Sequence, residues 1–425
     1  MNQISFIHCH NLNFGYSIKV ADYKSAKKLN IRREDLKTVL NNIIDSAIYE
    51  KADIILFSGI FADVKNADDS TKEYIIDRFK ANDLKAMRIV IMPYDDAYLT
   101  DSLYSRLKEI ENILVLETEK FSFESKNTTF YRLDESNMDT FSENLNEIRT
   151  GDSFNIVLSS IPVKSSIPTE QNPCFHADDM NALDVSSNKS DVLGHESDPG
   201  KPEHEQNVCP EPEQAGSYEY EDSVYNKDFL NEVDYIALGC GDKRVHDIFG
   251  DGKVYCPGTP EPLVLHQTEP HGVYSVTLTK KSDGTTRKDI AFIEVSKRKN
   301  FAVDIDIAKC FSQDAISEKI IDTVTPDEEN GYIINLSGEI NPFLEYDLKE
   351  IEKEIENYYF DLILEDKDVR RYDIDTIIAE PGIKGLFTKK MVDRINAALS
   401  REKKSVLTKA LSFGIQALDD KEINI

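Results

Sequence analysis

The chain has 425 residues, 40% of them hydrophobic, and 78 acidic against 50 basic side chains set its formal charge at −28. That length allows two or three domains with cores of their own, while the modest apolar fraction implies that part of the chain does not fold compactly. The charge excludes a surface that binds nucleic acid over most of its area, so any DNA contact must come from local basic patches.

The six cysteines include no C-x-x-C pair, which fits a reduced setting better than a disulfide framework or a structural zinc site. No basic-then-apolar leader is present, and no apolar run approaches the roughly 20 residues of a membrane span, so a soluble, cytoplasmic protein is expected. Ile4 to Cys9 reads as a buried strand and Asn11 to Gly15 as the loop leaving it. Leu36, Val39, Leu40, Ile43, Ile44 and Ala47 recur at helical spacing and predict a helix from Arg33 to Glu50. Strands follow at 52–59, 87–92, 113–116 and 154–159, with helices at about 70–82 and 103–111 between the earlier ones. This alternation predicts a layered α/β domain.

From Lys164 to about Asp222 the composition turns to Ser, Pro, Asp, Glu, Asn and Gln. Such a segment buries too little apolar surface to offset its ordering entropy, so a disordered acidic insert is expected, either a tolerated loop insertion or a regulatory or nucleic-acid-mimicking element. The strand Val233 to Gly239 then resumes the first domain. Residues 253–295 read as β structure with a Ser-Asp-Gly turn. A smaller α/β unit follows, with strands at 331–337 and 360–364 and a helix at 346–358. The division expected is 1–163 with 223–300 as one split domain, 164–222 as insert, 301–382 as a capping domain and 383–425 as a helical tail.

Six stretches in order carry a family resemblance. Asp234-Tyr-Ile-Ala-Leu-Gly-Cys-Gly-Asp242 resembles D-Y-I-A-L-G-H-I-H of the SbcD family of calcineurin-like phosphoesterases. Phe6 to Gly15 is similar to its F-I-H-T-S-D-L-H-L-G, and Ala52 to Asp63 to its D-x-x-x-x-S-G-D-L-F-D. Met92-Pro-Tyr-Asp-Asp96 stands where the family has G-N-H-D after a hydrophobic residue. Val157 to Ser160 takes the place of a strand ending in a metal-binding histidine, and Tyr255 to Glu261 resembles Y-x-G-S-P. The resemblance implies a calcineurin-like metallophosphoesterase fold, a β-sandwich flanked by helices. Residues 301–382 and the tail would then match the family's capping region.

The family hydrolyses phosphodiesters with two manganese ions, which need a shared carboxylate and surrounding imidazole, carboxylate and amide ligands. Carried over by position, its ligands fall on Asn11, Asn13, Ile60, Tyr94, Asp95, Ser160, Cys240 and Asp242, none preserved in type. An aliphatic side chain at the bridging position, Ile60, cannot hold two cations and desolvates the place where they would sit. The resemblance therefore implies a pseudo-nuclease with no cofactor expected. The alternative is a residual hydrolase with an altered single-metal site, using His10, Asp63 and Asp96 with Asn11, Asn13, Asp95, Cys240 and Asp242. His8 reads as structural.

Candidate phosphate contacts are Lys243, Arg244, Lys280, Lys281, Arg287, Lys288, Lys297, Arg298 and Lys299, each equally readable as an ordinary solvated cation. The resemblance implies a homodimer, formed through the helices at 70–82 and 103–111, in complex with an SbcC-like coiled-coil ATPase of the SMC type and through it with DNA. Two amphipathic stripes in the tail are the expected docking elements: Phe387, Met391, Ile395 and Leu399, then Leu407, Leu411, Ile415 and Leu418.

Overall fold

The computed structural model describes residues 2–15, 26–93, 96–123, 126–138, 141, 153–161, 225, 227–239, 241, 243–247, 252–282 and 284–419. The expected insert at 164–222 lies outside them.

Strands β1 (Asn2–His10), β2 (Ile54–Ser58), β3 (Arg88–Ile91) and β4 (Ile113–Val115) run parallel, separated by helices α1 (Ala26–Tyr49), α2 (Asp69–Phe79) and α3 (Ser102–Lys108). A second set comprises β5 (Lys120–Phe123), β6 (Thr128–Leu133), β7 (Phe154–Ser159), β8 (Tyr235–Leu238), β9 (Val245–His246) and β10 (Val254–Cys256). The hairpin β11 (Gly272–Lys280) and β12 (Thr286–Glu294) returns to the first sheet, antiparallel beside β1. Two six-stranded mixed sheets result, ordered β12-β11-β1-β2-β3-β4 and β5-β6-β7-β8-β10-β9. The chain is thus of mixed α/β class.

Strand alternation sorts the side chains into three layers of core. Ile4, Phe6, Ile54, Leu56, Val90, Val276 and Leu278 of the first sheet meet Phe130, Phe154, Ile156, Leu158 and Tyr235 of the second. The opposite face of the first sheet, with Ile7, Cys9, Ile55, Phe57, Ile89 and Ile91, packs on the apolar stripe of α1 and on Ile75, Ile76, Phe79, Leu103 and Leu107. The outer face of the second sheet is covered by Phe229 and Leu230 of the helix Lys227–Glu232. Period-2 alternation in strands and period-3.6 stripes in helices give this order directly. Asp68 and Asp101 start α2 and α3 by accepting from Thr71 N and Leu103 N at 2.7 Å each.

A third, parallel sheet of β13 (Asn300–Asp306), β14 (Asp327–Ile340) and β15 (Tyr359–Arg371) follows, with helices Gln313–Thr323 and Leu348–Ile355 as its crossovers. Ile316, Ile320, Ile351 and Ile355 from those helices lie on Ile305, Ile334, Leu336 and Leu364. Several elements depart from the sequence expectation. Helix α1 begins at Ala26, two turns before Arg33. The hairpin β5–β6, strand β13 and the helices Gln313–Thr323 and Ile374–Ala379 have no counterpart in the expected pattern. Strand β13 is largely exposed and Ile374–Ala379 is short, so their apolar period is weak. No helix among the described residues is long and apolar enough to cross a membrane.

The tail folds back as two helices, Ile383–Asn396 and Arg401–Leu418. Met391, Ile395 and Leu411 form a closed cluster with Phe343, Ile374, Phe387, Val392, Leu407 and Ile415. Asn341 anchors it by donating from Nδ2 to Ser412 Oγ at 3.0 Å, and the Phe311 and Phe413 rings meet edge-on. Of the expected docking stripes, Met391, Ile395 and Leu411 thus lie in local core, because two amphipathic faces on adjacent helices cover each other first. Leu399 and Leu418 remain exposed.

Candidate functional site

β1 and β2 end at the same edge of the first sheet, and the loops beyond them zip together. Asn11 N donates to Ser58 O at 3.1 Å, Asn13 N to Ile60 O at 3.0 Å, and Asp63 N to Phe14 O at 2.7 Å. Asn11 and Asn13 both have positive φ, 48° and 57°, a region asparagine tolerates better than most residues. Their side chains complete the join. Asn11 Oδ1 accepts from Ile60 N at 2.7 Å, and Asn13 Nδ2 donates to Asn11 O at 2.9 Å. Asp63, fully buried, accepts from Lys65 N at 3.1 Å and from Asn66 Nδ2 at 2.6 Å, so its carboxylate holds a turn.

A glycine closes each sheet at this edge. At Gly59, with φ 69°, an added Cβ would stand 2.2 Å from Asn11 Oδ1 and 2.7 Å from His10 Cε1. At Gly239 it would stand 2.7 Å from Gly59 N, so the two sheets touch backbone to backbone.

Four buried polar groups stitch that contact. Ser58 Oγ lies 2.7 Å from Leu238 O, and a carbonyl only accepts, so the serine donates there. His8 Nε2, 2.8 Å from the same Oγ, must then carry a proton and donate. A neutral His8 leaves Nδ1 to accept from the Tyr235 hydroxyl at 2.9 Å. The ring is therefore the Nε2–H tautomer, in a chain from Tyr235 through His8 and Ser58 to Leu238 O that crosses between the sheets twice. Beside it His10 Nε2 donates to Gly241 O at 2.6 Å. Burial holds His8 well below the usual imidazole range, with His10 adding to the effect. Burial likewise lowers His10 to about 4, against the opposing pull of the Gly241 and Ser58 carbonyls. The same desolvation pushes the Tyr235 hydroxyl well up, which keeps it a donor.

Of the inherited ligand positions, Tyr94, Asp95, Cys240 and Asp242 lie outside the described residues. Asn11 and Asn13 are used in loop joining, Ile60 and Ser160 are half-buried, and Ser160 N pairs with Leu133 O at 3.0 Å. Asp96 accepts from Arg132 Nη2 at 2.6 Å. The alternative ligands His10, Asp63 and Asp96 thus have separate partners, and no group of three or more His, Cys, Asp or Glu among the described residues could hold a metal ion. The described residues at these positions do not fit a manganese pair.

The basic candidates divide. Arg298, expected at a phosphate surface, is buried: it grips Asp35 through Nε at 2.6 Å and Nη2 at 3.1 Å and stacks 3.6 Å over the Phe360 ring. Arg32 bonds Asp35, Glu261 and Pro262 O, while Glu261 also accepts from Lys297 N at 2.7 Å. This ionic cluster ties α1 to β14 and β15. Lys280 pairs with Asp234 at 2.9 Å, Lys299 with Glu294 at 2.5 Å, Lys297 with Glu329 at 3.5 Å and Arg287 with Asp289 at 2.8 Å, and Lys288 bonds Gly252 O.

Lys243, Arg244 and Lys281 are exposed. Arg244 stacks 4.4 Å over Phe292, and from there rings run inward through Tyr274, His246 and Tyr255 to Tyr235. Sequence reasoning missed this ladder, because its rings come one each from β8, β9, β10, β11 and β12. No protein-family model and no curated protein matches the chain.

Proposed function

We propose that the chain is a non-hydrolytic relative of the SbcD nucleases, built on a calcineurin-like sandwich and acting as the scaffold of a DNA-processing complex with a coiled-coil ATPase. The observation that carries the reading is the strand-end edge itself. In the motif order of that family, this is where a bridging carboxylate and imidazoles would converge. Here the bridging position is Ile60, the Asn11 side chain joins two loops, and the Asn13 side chain braces its own loop at Asn11 O. Two facing six-stranded sheets with helices outside support the fold half of the reading.

Two-metal hydrolysis needs ligands that present lone pairs to one shared point. Side chains that already bond backbone or neighbouring amides do not present them. On this reading DNA contact falls to the exposed Lys243 and Lys281 and to Arg244, which sits over the Phe292 ring. Homodimerisation and ATPase docking rest on the family resemblance.

Elemental analysis of the purified protein, with linear and hairpin DNA offered together with manganese, tests the proposal. The expected result is no stoichiometric metal pair and uncut DNA. Two equivalents of bound metal, or cleavage that Asp63→Ala abolishes, would overturn it.

A further inference from the structure

The helical hairpin Ile383–Leu418 has eight basic and two acidic residues, in a chain whose net charge is −28. Its inner faces are closed on each other and on the third sheet's domain. On the outer faces stand Lys389, Lys390, Arg394, Arg401 and Lys403, all exposed and with no ion-pair partner among the described residues. Lys384 and Lys404 show what happens where a carboxylate is in reach, pairing with Asp419 at 2.8 Å and Glu345 at 2.7 Å. Between the unpaired cations lie Ile383, Leu386 and Val406, 76%, 57% and 68% exposed. A face that alternates cations with aliphatic side chains suits an acidic polypeptide with apolar residues of its own. A phosphate backbone would leave the aliphatic groups unmatched.

We propose that this face binds the chain's own acidic segment, residues 164–222. That segment has fourteen acidic and three basic residues. Nine of the carboxylates fall between Glu196 and Asp222, with Val208, Tyr218 and Tyr220 interleaved and Lys201 the one cation of that stretch. The segment leaves and returns at one point. Tyr225 OH donates to Ile161 O at 2.8 Å and meets Ser159 Oγ at 2.7 Å, on the outside of the second sheet. An extended chain spans about 3.3–3.6 Å per residue, so Glu196 reaches up to roughly 100 Å from Tyr225. That exceeds what a domain of this size requires. Charge pairing of this kind weakens with salt, and any acidic partner of the hairpin must displace the segment first. The contact is argued from charge and chain length and does not depend on the SbcD-like reading.

Zero-length carbodiimide coupling of the full chain, followed by peptide mapping, tests the contact. At about 50 mM salt, carboxylates of 196–222 should couple to Lys389, Lys390 and Lys403. Coupling should fall by at least about fivefold in roughly 0.5 M salt, and coupling to Lys403 should fall likewise in the triple variant Lys389→Glu, Lys390→Glu, Arg394→Glu. These positions are exposed, so the variant should keep its melting transition. Coupling to the hairpin no stronger than to the exposed Lys27 and Lys85 would sink the proposal. So would a salt-insensitive pattern. If the triple variant instead loses binding to a short DNA duplex or to phosphatidylserine vesicles, with no internal coupling in the parent, the face belongs to nucleic acid or membrane.

Discussion

Two buried polar regions of this protein handle desolvation in opposite ways. At the strand-end edge, His8, Ser58 and Tyr235 are almost completely excluded from water and all neutral, with Tyr235 donating to His8, His8 to Ser58 and Ser58 to the Leu238 carbonyl. At the junction with the third sheet, Arg32, Asp35, Glu261 and Arg298 are also buried but joined as ion pairs, two of each sign in alternation. The neutral circuit satisfies its hydrogen bonds with little electrostatic cost, but only while the imidazole stays unprotonated. In the ionic cluster the arginines stay charged, burial raises the Glu261 carboxyl against the opposing pull of Arg32 and the Lys297 amide, and no partner can be missing. One region is sensitive to pH and the other to deletion.

The sharpest way to break that contrast is Asp35→Ala. It would leave Arg298 and Arg32 with reduced compensation in a dry site, at a cost of about 3–5 kcal/mol. Denaturant unfolding measures it, and Asp35→Leu combined with Arg298→Met should recover most of the loss. A single-variant cost near zero would mean that water reaches the cluster.

Next in size is the pH response of the neutral region. His10 is held at about 4 in the folded chain against 6.5 as the ordinary value, so the unfolded chain binds the extra proton between those limits. Its contribution is complete above pH 6.5 and declines as pH falls toward 4, by roughly 3 kcal/mol in all. His8 works in the same direction. Unfolding free energies from pH 7 to 4.5 should therefore show a shallower slope in His10→Gln than in the parent. Equal slopes would mean that folding leaves the His10 pKa where the unfolded chain has it.

The smallest effect is Tyr235→Phe, which removes the donor to His8 Nδ1 and should cost about 1–2 kcal/mol. Long-range nitrogen–proton correlation spectra of the parent should find His8 as the Nε2–H tautomer. An Nδ1–H signal would reverse the direction of the whole circuit.

Much of the first domain was legible along the chain. Alternation at Ile4–Cys9 and the glycine stop at Gly59 located strand ends, and the stripe of α1 announced which face it would bury. The residue types at the inherited ligand positions were equally plain, because Ile60 lacks a lone pair in any fold. Local pattern could not say what each face would meet. Leu411 shows the same period whether it packs on Met391 or on another molecule, and only the fold-back of the hairpin settled that. Arg298 sits in a Lys-Arg-Lys run that looks like a surface stretch, until α1 brings Asp35 beside it from 263 residues away in the sequence.

The seam joins residues 8, 58, 235 and 238, whose meeting depends on two sheets closing face to face at glycines. A sequence by itself determines period, chemistry and chain order, since these are set by neighbours. Which buried polar group finds which partner is decided by long-range contacts, and here those contacts separate a neutral edge from a charged junction.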